Sequence, residues 1–193
     1  MNNKRRVFVS VYEYASTSTS STSSFEEERQ RLRHAIYRWA IMVVPKDTKG
    51  RRCHMYELVP KAPLSSSASS APPQIDQPPD HNAAFTFRAT KHVDLRTDPR
   101  LLRMVLIGKL PGGVLYSELE DLLAALPTPQ HDKVPERNNV SWTVAAILAL
   151  QGAGYADEFD VNDLMAFALK AADEKRQFPD SVGMLLNYTT RPL

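Results

Sequence analysis

The periodicity of the apolar residues changes once along the chain, near residue 113. Before that point, apolar residues alternate as they do in strands, in five short segments: residues 6–14, 36–44, 52–59, 84–88 and 101–110. After it, they recur at helical spacing in three segments, which begin near residue 117, at 138 or 139, and near 160. Strands followed by helices predict an α+β fold, with a mainly antiparallel sheet of about five strands followed by about three helices.

Two of these segments are predicted to lie deep in the fold. Residues 36–44 carry apolar side chains on both faces of the strand, and Arg38 is the charged exception. Residues 140–150 are apolar nearly all round the helix, which predicts the central and most buried helix. On that basis, Leu148→Ala is expected to cost about 2–5 kcal/mol.

Two low-complexity tracts interrupt the first half of the chain. Residues 16–24 are nine consecutive serines and threonines, and residues 62–80 are rich in proline and serine. Neither tract has enough apolar surface to offset the entropy cost of ordering it. We therefore predict disordered loops at 15–30 and 61–81 within a single α+β domain at 6–180, with a flexible N-terminus at 1–5 and a C-terminal tail at 181–193.

No segment is predicted to enter a membrane or to direct secretion. The longest apolar run, residues 144–150, is far shorter than the roughly 20 residues that cross a bilayer. The first residues are basic but lack the long apolar region of a signal peptide. A cytoplasmic or nuclear location and no membrane partner are expected.

Composition argues against several kinds of site. Cys53 is the single cysteine, so an intramolecular disulfide or a thiolate metal cluster is excluded. The five histidines lack metal-ligand spacing and no glycine-rich phosphate loop is present, so we predict no metal and no cofactor. Residues 1–110 hold 18 basic and 10 acidic side chains, whereas residues 111–193 hold 6 and 12. The basic residues are scattered with few aromatics among them, so no nucleic-acid partner is expected.

Four short segments resemble a fungal family of uncharacterised proteins. Residues 37–46, Tyr-Arg-Trp-Ala-Ile-Met-Val-Val-Pro-Lys, are similar to its Tyr-His-Trp-Ala strand, and residues 138–142, Asn-Asn-Val-Ser-Trp, to its Asn-Cys-x-x-Trp helix start. Residues 50–54 and 101–109 resemble two further strands of that family, in the same order along the chain. The family pattern in turn looks like a circularly permuted papain-like domain of the NlpC type.

The resemblance implies a site that has lost its chemistry. In the papain-like pattern, a histidine on the strand activates a cysteine at a helix N-terminus. Those two positions are Arg38 and Asn139 here. Arginine stays protonated at working pH and an amide is no nucleophile, so cysteine hydrolase or acyltransferase activity is not expected. Ser141 lies two residues further on, about 200° round the helix from Asn139, and does not replace the thiol.

The resulting hypothesis is a non-catalytic, degenerate papain-like domain that acts as a binding or accessory protein. Candidate ligand-binding residues are Arg38, His54, Asn138 and Asn139, and the candidate partners are a small anionic ligand or a protein. Arg38 has a competing interpretation, as a strand arginine bonded to a carboxylate or carbonyl of the fold. Two other functions remain open. One is an accessory protein or enzyme with an unrecognised site in a fungal specialised-metabolite pathway, and the other is an interaction protein acting through its Ser/Pro-rich loops.

Overall fold

The structure, a computed structural model, describes residues 5–14, 22–61, 84–128, 138–180 and 183–191. The described strands are β1 (Arg5–Glu13), β2 (Tyr37–Pro45), β3 (Cys53–Pro60), β4 (Phe85–Val93), β5 (Leu101–Leu110) and β6 (Leu185–Asn187). The described α-helices are α1 (Thr22–Leu32), α2 (Tyr116–Ala124), α3 (Asn139–Gly152) and α4 (Val161–Gln177). The predicted α+β class is confirmed.

The strands form one open sheet with the order β4-β3-β2-β1-β5-β6. Neighbouring strands are antiparallel, except that β6 runs parallel to β5. Val9 at the middle of β1 lies opposite Ile41 of β2 and Val105 of β5. The prediction that residues 36–44 are buried on both faces is confirmed for β2, in which all residues but Val44 are buried.

The two faces of the sheet have separate apolar cores. The helix face packs against α2, α3 and α4, and its strand residues include Val9, Trp39, Ile41 and Leu58. The opposite face, called the far face below, carries a smaller cluster of Phe8, Tyr12, Ala40, Met42, Cys53, Met55, Met104 and Leu106. Leu95, from the connection between β4 and β5, packs on this far-face cluster.

Both long C-terminal helices begin where the sequence predicts. Asn138 caps α3, and Asp160 caps α4 by accepting from the backbone N–H groups of Asn162 and Asp163 at 2.8 and 3.0 Å. The expected burial of Leu148 is wrong, because its side chain is 53% exposed. The helix packs on the sheet through the side that carries Ile147 and Leu150, and Leu148 is on a different side. Because the helix is apolar nearly all round, its sequence does not indicate which side is buried.

Leu148→Ala should therefore cost less than about 1 kcal/mol, far below the loss that follows truncation of a buried leucine. Leu148→Gln, which keeps the length of the side chain, should be equally mild because the terminal atoms remain in water. Urea denaturation of both variants measures the change in the free energy of unfolding. A loss above about 2 kcal/mol for the alanine variant would show that another part of the molecule covers this side of α3.

Residues 22–30, expected to belong to a loop, lie in helix α1. Phe25 explains the difference, since it is buried and its ring lies 6.4 Å from that of Tyr37. Arg29 adds a bidentate pair with Asp173 of α4 at 2.8–3.1 Å. Residues 15–21 and most of the second expected loop, 62–81, lie outside the described residues.

Part of the expected C-terminal tail joins the sheet as β6. The backbone N–H of Met104 donates to the carbonyl of Met184 at 2.9 Å, and that of Tyr188 donates to Leu106 at 3.2 Å. The buried Arg103 of β5 donates from Nη1 to the carbonyl of Gly183 at 2.9 Å. Backbone pairing with β5, rather than an apolar pattern of its own, places this segment. None of the described helices is long and apolar enough to span a membrane.

Candidate functional site

The two positions that the resemblance singles out lie at one end of the sheet. Arg38 is the second residue of β2 and lies opposite Tyr12, near the end of β1. Asn139 opens α3 and donates from Nδ2 to the phenol oxygen of Tyr14, just beyond β1, at 3.3 Å. Burial raises the pKa of Tyr14 above its usual value, and the positive charge of Arg38 partly offsets that rise. Tyr14 therefore lies near both positions, and the residues around Arg38 and Tyr14 are called the Arg38 cluster below.

Arg38 points to the far face of the sheet, away from α3. Alternation along β2 puts its side chain on the same face as Ala40 and Met42, and Arg38 is only 6% exposed. Its guanidinium carbon lies 4.5 Å from the centre of the Tyr12 ring, within the range of a cation–π interaction. The two positions thus share an end of the sheet, but the Arg38 side chain does not point towards the helix that Asn139 begins.

Glu57 is the main charge partner of Arg38. It is fully buried in β3, and its Oε2 lies 3.5 Å from Nε of Arg38. Arg88, paired with Glu57 in the β3–β4 register, donates to the other carboxylate oxygen. Asp98 lies 3.9 Å from a terminal nitrogen of Arg38. A carboxylate removed from water needs such partners, and the two guanidinium groups supply them.

The first turn of α3 is held by its own side chains. The Asn138 Oδ1 accepts from the backbone N–H groups of Val140 and Ser141 at 2.9 and 3.3 Å. In return, the Ser141 hydroxyl accepts from the Asn138 N–H at 3.0 Å, which completes a capping box. Asn138 and Ser141 are therefore engaged in local structure. The buried Oδ1 of Asn139 has no hydrogen-bond partner in the described part of the chain.

The cluster contains no pair of nucleophile and base. Arg38 cannot take up a proton and the Asn139 amide cannot attack a carbonyl. Burial raises the pKa of both Tyr12 and Tyr14, so the phenols stay protonated at neutral pH. The Cys53 thiol is inert as well, because burial, with a smaller effect from Asp94, raises its pKa to about 12. The arrangement fixes charges and hydrogen bonds in place, and it has no group poised to form a covalent intermediate.

His54 lies outside this cluster, on the helix face of the sheet. It is opposite Val43 of β2, and its ring stacks on Tyr116 of α2 with centroids 3.7 Å apart. His92 lies 6.0 Å from it, centroid to centroid. Burial lowers the pKa of His54, and the nearby His92 and Lys91 lower it further, so the ring is neutral at pH 7. Among the described residues, no three His, Cys, Asp or Glu side chains group as a metal site.

The structure thus places Arg38 and Asn139 at the same end of the sheet without direct contact between them, with Arg38 on the far face. Asn138 caps α3, and His54 lies on the helix face. Sequence reasoning missed Glu57 and Tyr14, which hold Arg38 and Asn139. One signal was present: Glu57 is an acidic residue inside a segment that reads as a buried strand, as Arg38 is a basic one. Two opposite charges in buried strands of one sheet are candidates for a pair.

Comparison with known proteins adds one match. A sequence model of a protein family matches residues 4–177, and that family, DUF6914, is described as a family of unknown function. The matched range includes every described element from β1 to α4, and so the whole cluster around Arg38 and Asn139. No curated protein and no solved structure matches the chain.

Proposed function

Because the chain belongs to the family of unknown function DUF6914, we propose a function from the geometry: a non-catalytic domain that serves as a binding or accessory protein. The main support is the way in which both singled-out side chains are used. Arg38 shares with Arg88 the compensation of the buried Glu57, and Asn139 bonds to Tyr14 at the start of α3. Side chains committed to buried charges and to a helix start hold the fold together, and neither supplies a nucleophile or a base.

A degenerate papain-like origin is part of this proposal. Its support is that positions 38 and 139 share one end of the sheet, with the second at the N-terminus of a helix, as the papain-like pattern requires. The direction of Arg38, towards the far face, is the feature that departs from that pattern. The papain-like origin is therefore tested separately from the proposed lack of catalytic activity.

The double variant Arg38→His with Asn139→Cys tests the origin. If the positions descend from a thiol–imidazole pair, the new thiol should have a pKa below the ordinary value of about 8.5, because the positive end of the α3 dipole and an imidazolium at residue 38 stabilise the thiolate. The ultraviolet absorbance of the thiolate, followed against pH, measures that pKa. Cys53 gives no signal in this range, since its own pKa is about 12.

Arg38→His with Ser141→Cys is the matched control, because residue 141 lies in the same turn but about 200° round the helix from residue 139. Equal thiol pKa values in the two variants would contradict the papain-like origin.

The absence of activity is tested on the unaltered chain with iodoacetamide and a fluorophosphonate. We expect neither reagent to label the folded protein, and rapid labelling of Cys53 or Ser141 would contradict a non-catalytic function.

A further inference from the structure

A groove opens on the far face, at the end of the sheet opposite to the Arg38 cluster. It has a volume of about 450 Å³ and is lined by the start of β1, the end of β2, the connections that follow β2 and β4, the middle of β5 and residues 183–185 at the start of β6. Cavities of this size, roughly 300–1,000 Å³, are typical of small-molecule sites. None of the four candidate residues from the sequence lines it.

The described lining of the groove is largely apolar. Phe8 of β1 and Met104 of β5 belong to the far-face core and are almost fully buried, and Leu95 lies beside them. Met184 and Leu185 also line the groove and are 36% and 47% exposed. An apolar molecule seated here would remove the surface of these two side chains from water, which favours binding.

The charge of the groove is of one sign. Four cations line it, namely Arg6, Lys46, Lys49 and Arg96, and its described lining includes no carboxylate. Arg96 is already paired, since it donates to both oxygens of Asp94 at 2.9 and 2.6 Å and lowers the pKa of that carboxyl to about 2. The other three cations, Arg6, Lys46 and Lys49, lie beside the apolar side chains of the groove. This arrangement is complementary to an anion with an apolar body.

We propose that this groove binds a small carboxylate with a hydrocarbon or aromatic body. The body lies against the exposed side chains of Met184 and Leu185, and the carboxylate is held by Lys46, Lys49 and Arg6. The inference rests on the proposed function in one respect, because it takes the chain to bind its ligand without converting it. It makes no use of Arg38, whose charge is already opposed by Glu57.

Three ten-carbon probes test the proposal on the full chain by isothermal titration calorimetry. Decanoate, 1-decanol and decyltrimethylammonium share a hydrocarbon chain and differ in the charge of the headgroup. We expect decanoate to bind most tightly, and decyltrimethylammonium to bind at least about tenfold more weakly, because like charges repel in the groove. Added salt should weaken decanoate binding and leave decanol binding unchanged.

Lys46→Gln with Lys49→Gln removes two of the cations. We expect the Kd of decanoate to rise by about three- to tenfold, with little change for decanol, since exposed charge pairs each contribute modestly. Lys61→Gln with Lys170→Gln is the matched control: it removes the same net charge, and neither residue lines the groove. Met184→Asp, which puts a negative charge in the exposed wall, should also weaken decanoate binding.

Four results would overturn the groove assignment: no decanoate binding up to about 1 mM, equal affinity for decanoate and decyltrimethylammonium, equal weakening by the two double variants, or no effect of Met184→Asp. Sedimentation of the chain with phosphatidylglycerol vesicles, with no affinity for free decanoate, would assign the groove to a lipid surface and overturn the proposal too. Hydrolysis of methyl decanoate would instead contradict the non-catalytic function, and the decanoate affinities would still decide the groove.

Discussion

Glu57→Gln should destabilise the folded chain by about 3–5 kcal/mol, the range expected when one partner of a buried ion pair is removed. Glutamine keeps the size of the side chain but carries no charge. Arg38, only 6% exposed, would then lie beside a neutral amide, and Asp98, 3.9 Å away, would be its remaining carboxylate partner. The free energy of unfolding, measured by urea denaturation, gives the loss directly.

Glu120→Gln is the matched control for this substitution. Glu120 pairs with Lys91 at 3.5 Å, but both side chains are partly exposed, so its loss should cost less than about 1 kcal/mol. Adding Arg38→Met to Glu57→Gln should recover part of the stability, because the uncompensated buried cation is removed as well. Equal costs at Glu57 and Glu120 would contradict the view that Glu57 anchors the cluster.

The strands were the most predictable part of the fold because most of them are buried on at least one face. The predicted segments at 6–14, 36–44, 52–59 and 101–110 agree with β1, β2, β3 and β5 to within one residue at each end. The segment at 84–88 covers only the first half of β4, Phe85–Val93. β4 is an edge strand whose second half is largely exposed. That half therefore lacks alternating apolar residues, although its backbone still pairs with β3.

Helix α1 and strand β6 were not predicted, and both depend on contacts distant in sequence. In α1, the described apolar contact is centred on Phe25, and the pair between Arg29 and Asp173 joins residues 144 positions apart. β6 has three residues and is placed by hydrogen bonds to β5. Periodicity measures local amphipathicity, and it contains no information on such long-range partners.

For the candidate site, as for the fold, the sequence indicates individual residues but does not indicate their long-range partners. Arg38 stands out in the sequence as a charge within an otherwise apolar strand, and its need for a buried partner follows from the cost of desolvating a charge. The identity of that partner depends on how β2, β3 and β4 align, since Glu57 and Arg88 meet through strand register. The groove could not be predicted, because its lining comes from β1, β2, β5, the two connections that follow β2 and β4, and residues 183–185.

Gly108→Ala should destabilise the chain by about 3 kcal/mol, at the upper end of the cost of overpacking. Gly108 lies in β5 opposite Val7, where the connection between α3 and α4 crosses the sheet. A β-carbon at this position would overlap the carbonyl oxygen of Tyr155 and lie 2.5 Å from Cα of Ala156. Both are backbone atoms, which no change of rotamer can move aside, and the N–H of Asp157 ties the connection to Ile107 at 2.8 Å.

The control for Gly108→Ala is Gly152→Ala at the end of α3. A β-carbon there meets nothing within 4 Å, so alanine should be neutral or stabilise the helix by up to about 1 kcal/mol. Urea denaturation compares the two variants, and amide hydrogen exchange in α3 reports whether the clash loosens the helix that begins at Asn139. Because the crossing connection follows α3 directly, we expect faster exchange in α3 for Gly108→Ala alone. Equally small effects of both substitutions would contradict the close approach of this connection to β5.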